Sequence, residues 1–207
     1  MSAGKPFRIF TVDPFGGRTS SRAAFGSPDD NMKIVQDNFA RFGVSEHITI
    51  VCGTVETLLS GRELGPISLL MIDADGRVDR DLEALFDRLV PACPIIIDDV
   101  QDFTMLFEAD GSTWFAQKHR LSWLLTNQFV ADGVLSPTDR VGWTEFFNKG
   151  EASSELIPRG ALLAYRELVF ADLSPLLDDW RGLRRLVKKV PGARSLHRRV
   201  QSLRLRA

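Results

Sequence analysis

Cysteine is scarce. Cys52 and Cys93 are the only two in 207 residues, and their spacing matches no metal or redox motif. A disulfide scaffold is excluded, and a reduced, cytosolic protein is expected. No apolar run approaches the ~20 residues of a membrane span. The first residues, Met1 to Lys5, lack the apolar core of a signal peptide. No Ser/His/Asp or Cys/His arrangement stands out, and there is no internal repeat or low-complexity segment.

Charge is nearly balanced at -1, but it is unevenly placed. Residues 181–207 hold ten Arg or Lys and no Asp or Glu, which leaves 16 basic against 27 acidic residues in 1–180. An acidic body of residues 1–172 is therefore expected to carry a basic helical tail, 173–207. Without interleaved aromatics the tail does not point to nucleic acid. It reads as a solvated, partly disordered segment, although its Leu and Val spacing also fits a helix on the body.

What the chain does have is apolar runs that stop in acids. Pro66 to Asp75 is one: Ile67, Leu69, Leu70, Met71 and Ile72, then Asp73-Ala74-Asp75. Such a run reads as a strand buried on both faces, as in a parallel sheet. Pro94-Ile95-Ile96-Ile97-Asp98-Asp99 repeats the design, and Phe7 to Asp13 and His47 to Cys52 are further strands. Helices are expected from Ser27, with Met32, Val35, Phe39 and Phe42 as its buried stripe, around 55–60, and from Asp79 to Val90. This alternation predicts an α/β fold, a doubly wound, mostly parallel sheet. Beyond Val100, a loop at 101–112, a helix at 112–131 and an antiparallel edge pair at 141–147 and 161–170 are expected.

In open α/β sheets ligands bind beyond the carboxyl ends of the strands. Asp73, Asp75, Asp98 and Asp99 would gather there. Clustered carboxylates repel unless a cation sits among them. Oxygen-only ligands suit Mg²⁺ or another hard divalent ion, and no His or Cys cluster argues for Zn²⁺. Solvated strand ends, a metal site and a base for a substrate hydroxyl all remain open on this evidence. Asp13 ends its strand at the same edge and suits the two hydroxyls of a ribose, or else forms a turn before Pro14. Lys118 and His119 could face that crevice, but on an amphipathic helix they read rather as its solvated face.

Four segments carry a resemblance by their order and spacing: Val12-Asp13-Pro14-Phe15-Gly16-Gly17, Asn38 to Gly43, Ile72-Asp73-Ala74-Asp75 and Ile97-Asp98-Asp99. Together they resemble the metal-dependent S-adenosylmethionine O-methyltransferases of the macrocin and novobiocin sugar type. The resemblance covers 7–100 well and 113–150 loosely. It implies a Rossmann-like methyltransferase fold and Mg²⁺ held by Asp73, Asp98 and Asp99. It further implies Asp75 as general base, Asp13 on the cofactor ribose and Thr54 near the adenine. The implied acceptor is a small molecule bearing a hydroxyl, such as a sugar or a natural product; a homo-oligomer would be compatible with it.

One part of that family's pattern is not found. Such folds open with a strand ending in a glycine-rich loop, yet no Gly-x-Gly occurs here. The missing strand would be the central one, between those at 7–13 and 66–73, so the fold is expected to be incomplete at its N-terminus. Two rival functions follow. One is a non-catalytic, degenerate or truncated methyltransferase-like protein. The other is a nucleotide-sugar glycosyltransferase that uses Asp73-Ala74-Asp75 as its metal motif.

Overall fold

The computed structural model describes residues 7–15, 27–73, 76–109 and 112–178. Strand β1 (Ile9–Asp13) leads to helix α1 (Pro28–Arg41). Ser27 caps that helix: its hydroxyl accepts the Asp30 N–H at 3.2 Å, and the Asp30 carboxylate accepts the Ser27 N–H at 3.1 Å. Two orphan donors of the first turn are satisfied reciprocally. The expected stripe is only partly realised, because Met32, Val35 and Phe39 are half-buried while Phe42 lies exposed just past the helix end.

Strand β2 (Ile48–Cys52), helix α2 (Val55–Gly61), strand β3 (Leu70–Ile72), helix α3 (Val78–Leu85) and strand β4 (Pro94–Ile97) complete the alternation. β2 runs parallel to β1, with Asp13 opposite Cys52. β4 runs parallel to β3, with Ile72 opposite Ile97.

Past Val100 the chain departs from expectation. β5 (Met105–Ala109) and β6 (Ser112–Ala116) form an antiparallel hairpin where a loop and the start of a helix were predicted. Helix α4 (Lys118–Ala131) starts only after it. The edge pair is β7 (Leu135–Val141) and β8 (Thr144–Lys149). Ala161 to Phe170 is not a strand, for it lies within helix α5 (Leu156–Asp178). Its buried Ala161, Ala164 and Leu168 recur at helical intervals, with Leu162, Leu163 and Val169 exposed between them. A continuous apolar run of this kind does not separate strand from helix. The helix crosses the expected boundary at 172, and most of the basic tail, 179–207, lies outside the described residues. No helix among the described residues is long and apolar enough to cross a membrane.

The class is α/β, with parallel pairs extended by antiparallel strands at one edge. The strands do not form one sheet. β1 and β2 stand as one pair, and a four-stranded sheet runs β3-β4-β8-β7, with β8 antiparallel to both of its neighbours. Among the described residues no ladder joins β1 to β3.

Helices α3, α4 and α5 cover one face of the larger sheet, and Leu82, Ile95, Ile97, Leu125, Phe129 and Ile157 are wholly buried there. The other face of β3 is open: Leu69 and Met71 are 57% and 61% exposed. The prediction of a strand buried on both faces is therefore corrected, because only one helical layer among the described residues packs against β3. A buried polar contact ties that layer together. The Tyr165 hydroxyl on α5 reaches both carboxylate oxygens of Asp79 on α3, at 3.1 and 3.2 Å.

Glu145 on β8 offers a pH test of this packing. Burial pushes its carboxyl above the ordinary value, and the Arg140 guanidinium 3.3 Å away opposes this only in part. A raised folded pKa favours the folded state fully below the unfolded pKa, and that contribution is lost as pH rises through the folded one. Glu145→Gln is thus expected to melt higher than the unaltered chain at neutral pH. In thermal melts the difference should vanish below the usual carboxylate range.

Candidate active site

The carboxyl ends of β3 and β4 bring Asp73, Asp98 and Asp99 together. The Asp98 N–H donates to the Ile72 carbonyl at 3.0 Å, so the two strand ends stay in register to the last rung. Directly after it the chain turns sharply, with Asp99 at φ +59°. Few residues other than glycine adopt that left-handed region, though Asp and Asn tolerate it best. The turn is held from outside: the Val100 N–H donates to the Trp143 carbonyl at 2.8 Å, and Arg140 donates to the Val100 carbonyl at 3.3 Å.

The turn aims the two adjacent carboxylates at different partners. Asp98 accepts the Thr144 hydroxyl at 2.6 Å. That bond and the Asp99 backbone N–H hold its carboxyl below the usual range against the effect of burial, helped by the nearby Lys118 and His119. Asp99 faces the Lys118 ammonium at 2.6 Å and the His119 Nε2 at 3.3 Å. Lys118 also reaches Asp73, at 3.3 Å. Burial by itself would lower the Lys118 pKa, but the bond to Asp99 and the charges of Asp99 and Asp73 outweigh it and raise it.

Lys118 is placed by its backbone as well as by its charge. Gly76, after β3, has φ +87°, and a Cβ there would lie 3.1 Å from both the Cα and the carbonyl oxygen of Lys118. Only glycine lets the β3–α3 loop lie this close to the first turn of α4. Beside Lys118, His119 is buried among rings: Phe103 stacks on it at 5.3 Å and Trp143 meets it edge-on at 5.4 Å. Its Nδ1 is buried without a hydrogen-bond partner, whereas Trp143 stays about half exposed.

Asp13 and Thr54 stand together at the carboxyl ends of β1 and β2. The Gly53 N–H donates to the Asp13 carbonyl at 3.0 Å, and Thr54 caps α2, its N–H donating to the Thr57 hydroxyl at 3.2 Å. The Asp13 carboxylate accepts the Phe15 N–H in a tight turn. The structure thus forms two groups of expected site residues, one on each sheet. Asp75 lies outside the described residues.

Four residues that matter here escaped sequence reasoning. Lys118 and His119 had been assigned to a solvated face, and Thr144 and Trp143 carried no signal, since only the β4–β8 pairing brings them to Asp98 and Asp99. The Lys-His pair opening a helix was the only cue. A shallow depression of about 470 Å³ lies at the opposite, amino ends of β3 and β4, against Pro66 and Pro91.

Carboxylate oxygens such as those of Asp73, Asp98 and Asp99 are of the donor type that a hard divalent cation takes, but Asp98 is turned to Thr144. The Lys118 ammonium between Asp73 and Asp99 shows that this space takes a cation. Among the described residues, no group of three or more His, Cys, Asp or Glu is arranged to hold a metal.

A family model described as a methyltransferase domain matches residues 1–100. That stretch, just under half of the chain, is similar to such a domain. The match takes in β1 to β4 and with them Asp13, Thr54, Asp73, Asp98 and Asp99, whereas Lys118, His119 and Thr144 lie beyond it. Among solved structures, the chain is similar to a proposed O-methyltransferase from Klebsiella pneumoniae, with 19% identity over 70% of this chain and 73% of that one, at a TM-score of 0.45. An O-methyltransferase from Bacillus cereus, solved in complex with SAH, shares 18% identity over 69% and 74%, at 0.44. The C-terminal domain of precorrin-6Y C5,15-methyltransferase from Rhodobacter capsulatus shares 17% over 72% and 83%, at 0.40. Likenesses this slight carry no argument about chemistry. No curated protein matches.

Proposed function

We propose that this chain transfers a methyl group from S-adenosylmethionine to a hydroxyl of a small acceptor, with Mg²⁺ assistance. One observation carries the reading. At the ends of β3 and β4, Asp73 and Asp99 share the Lys118 ammonium and Asp98 beside them accepts the Thr144 hydroxyl, within or next to the segment similar to a methyltransferase domain. When bound, S-adenosylmethionine would supply an electrophilic methyl, and Mg²⁺ would lower the pKa of the acceptor's hydroxyl.

The chain's own residues do the rest. Asp73, Asp98 and Asp99 would hold the cation, with Thr144 fixing the orientation of Asp98. Asp75 takes the acceptor's proton, a task for a carboxylate within hydrogen-bond reach. Asp13 would accept the cofactor's ribose hydroxyls, and Thr54, at the start of α2, would face its adenine. Phe103 and Trp143 give a sugar or a planar, natural-product-like acceptor an apolar wall beside Asp99. Catalysis in this scheme is mainly positioning, since the methyl donor is already activated.

The test is transfer of labelled methyl from S-adenosylmethionine to a panel of catechols and sugars, with Mg²⁺ or with a chelator. Labelled product that disappears on chelation is expected. Transfer indifferent to the chelator would remove the metal from the scheme, and no transfer to any hydroxyl acceptor would count against the whole of it. Trp143→Ala should raise the acceptor KM about tenfold with little change in kcat, since about 1.4 kcal/mol of ground-state contact is tenfold in binding.

A further inference from the structure

We propose that Arg140, steered by Glu145, is a positioning residue that holds the turn carrying Asp98 and Asp99 against the β7–β8 hairpin. The inference rests on the reading of that turn as part of the catalytic site and adds two residues that the matched segment does not contain.

Arg140 on β7 stands directly opposite Glu145 on β8, and Glu145 in turn stands opposite Ile97, the last residue of β4. This row of three ends where the turn begins. Each nitrogen of the Arg140 fork has its own partner. Nε donates to the Gly142 carbonyl at 3.2 Å, one terminal nitrogen donates to the Val100 carbonyl at 3.3 Å, and the other meets Glu145 at 3.3 Å. The Gln101 amide donates to the same Gly142 carbonyl at 3.4 Å. A planar fork can span three acceptors in fixed directions, which the point charge of a lysine cannot.

Glu145 faces a cleft of about 390 Å³ between α4 and the β7–β8 pair, whose other charged lining residues are Asp139 and Arg140. Of these only Arg140 can pair with it, and the Glu145 side chain is 19% exposed. A carboxylate so placed costs stability, which is why Glu145→Gln is expected to melt higher. What its charge contributes is direction. A charge-assisted bond is about twice as strong as a neutral one, and it holds one arm of the fork while the other two reach the turns. Stability and positioning therefore pull in opposite directions at Glu145.

Amide hydrogen exchange on the full chain, read by nuclear magnetic resonance, tests this without any activity assay. The Val100 N–H, bonded to the Trp143 carbonyl, reports on the turn. The Lys149 N–H, bonded to the Cys93 carbonyl at the other end of the β4–β8 pair, reports on the sheet. In Glu145→Gln, Val100 protection should fall about fivefold as the charge-assisted bond becomes a neutral one, while Lys149 protection does not fall and the protein melts higher. Arg140→Lys should cost Val100 about tenfold or more, because its single ammonium cannot replace the fork. The double variant should lose no more than Arg140→Lys, since Glu145 acts only through Arg140. The proposal is overturned if Val100 keeps its protection in either single variant, if Lys149 loses as much, if Glu145→Gln melts lower, or if the two losses add. Methyl transfer is assayed separately, and there Glu145→Gln should lower kcat although it is the more stable protein; an unchanged kcat in an active enzyme would also overturn the proposal. If no acceptor is methylated while the exchange pattern holds, the methyl-transfer reading fails and the hold of Arg140 on the turn stands.

Discussion

Asp99→Asn should lower kcat/KM for methyl transfer by roughly 10²- to 10³-fold, the cost of removing one well-placed electrostatic partner from an active site. The substitution is a clean one. Asp99 sits at φ +59°, and Asn tolerates that conformation as well as Asp does, so the turn after β4 should survive. What is lost is the charge that faces Lys118 at 2.6 Å and His119 at 3.3 Å. Steady-state kinetics at saturating Mg²⁺ measures the effect, and a thermal melt shows whether the fold is intact. A variant with normal kcat/KM would place the chemistry elsewhere.

Phe129→Ala should destabilise the fold by about 3–5 kcal/mol, the usual cost of emptying a buried aromatic site. Phe129 is wholly buried on α4, and α5 approaches it through Gly160, where a Cβ would lie 3.1 Å from two ring carbons. Such close packing leaves the neighbours little room to collapse into the void. Urea unfolding reads the loss. A cost below about 1 kcal/mol would mean that α5 repacks freely, contrary to a core built on this contact.

The first hundred residues were legible because their strands are short apolar runs ending in acids, separated by capped helices. Ser27 with Asp30, and Ile72-Asp73 beside Ile97-Asp98-Asp99, combine a local structural signal with a chemical one. Beyond Val100 those signals part company. The 161–170 segment is apolar almost throughout, so its period shows only once Ala161, Ala164 and Leu168 are seen facing the core. Lys118 looked like one more charged residue on a helix surface. Its role comes from the crossing of α4 over the end of β3, which Gly76 permits through a contact between residues 42 positions apart. Thr144 reaches Asp98 through an antiparallel pairing across 46 positions. Contacts set by pairing register and helix packing leave no local trace in a single sequence, whereas acids at strand ends do.

The break between β1 and β3 bears on function as well as on fold. It separates Asp13 and Thr54 on one sheet from Asp73, Asp98 and Asp99 on the other. In the proposed scheme the cofactor lies toward the first group and the acceptor toward the second.

The most direct measurement is calorimetric titration of the full chain with S-adenosylmethionine and, separately, with a UDP-sugar, both in Mg²⁺. The account predicts heat of binding with S-adenosylmethionine that weakens in Asp13→Ala, and none with the UDP-sugar. Uptake of the UDP-sugar alone would contradict it.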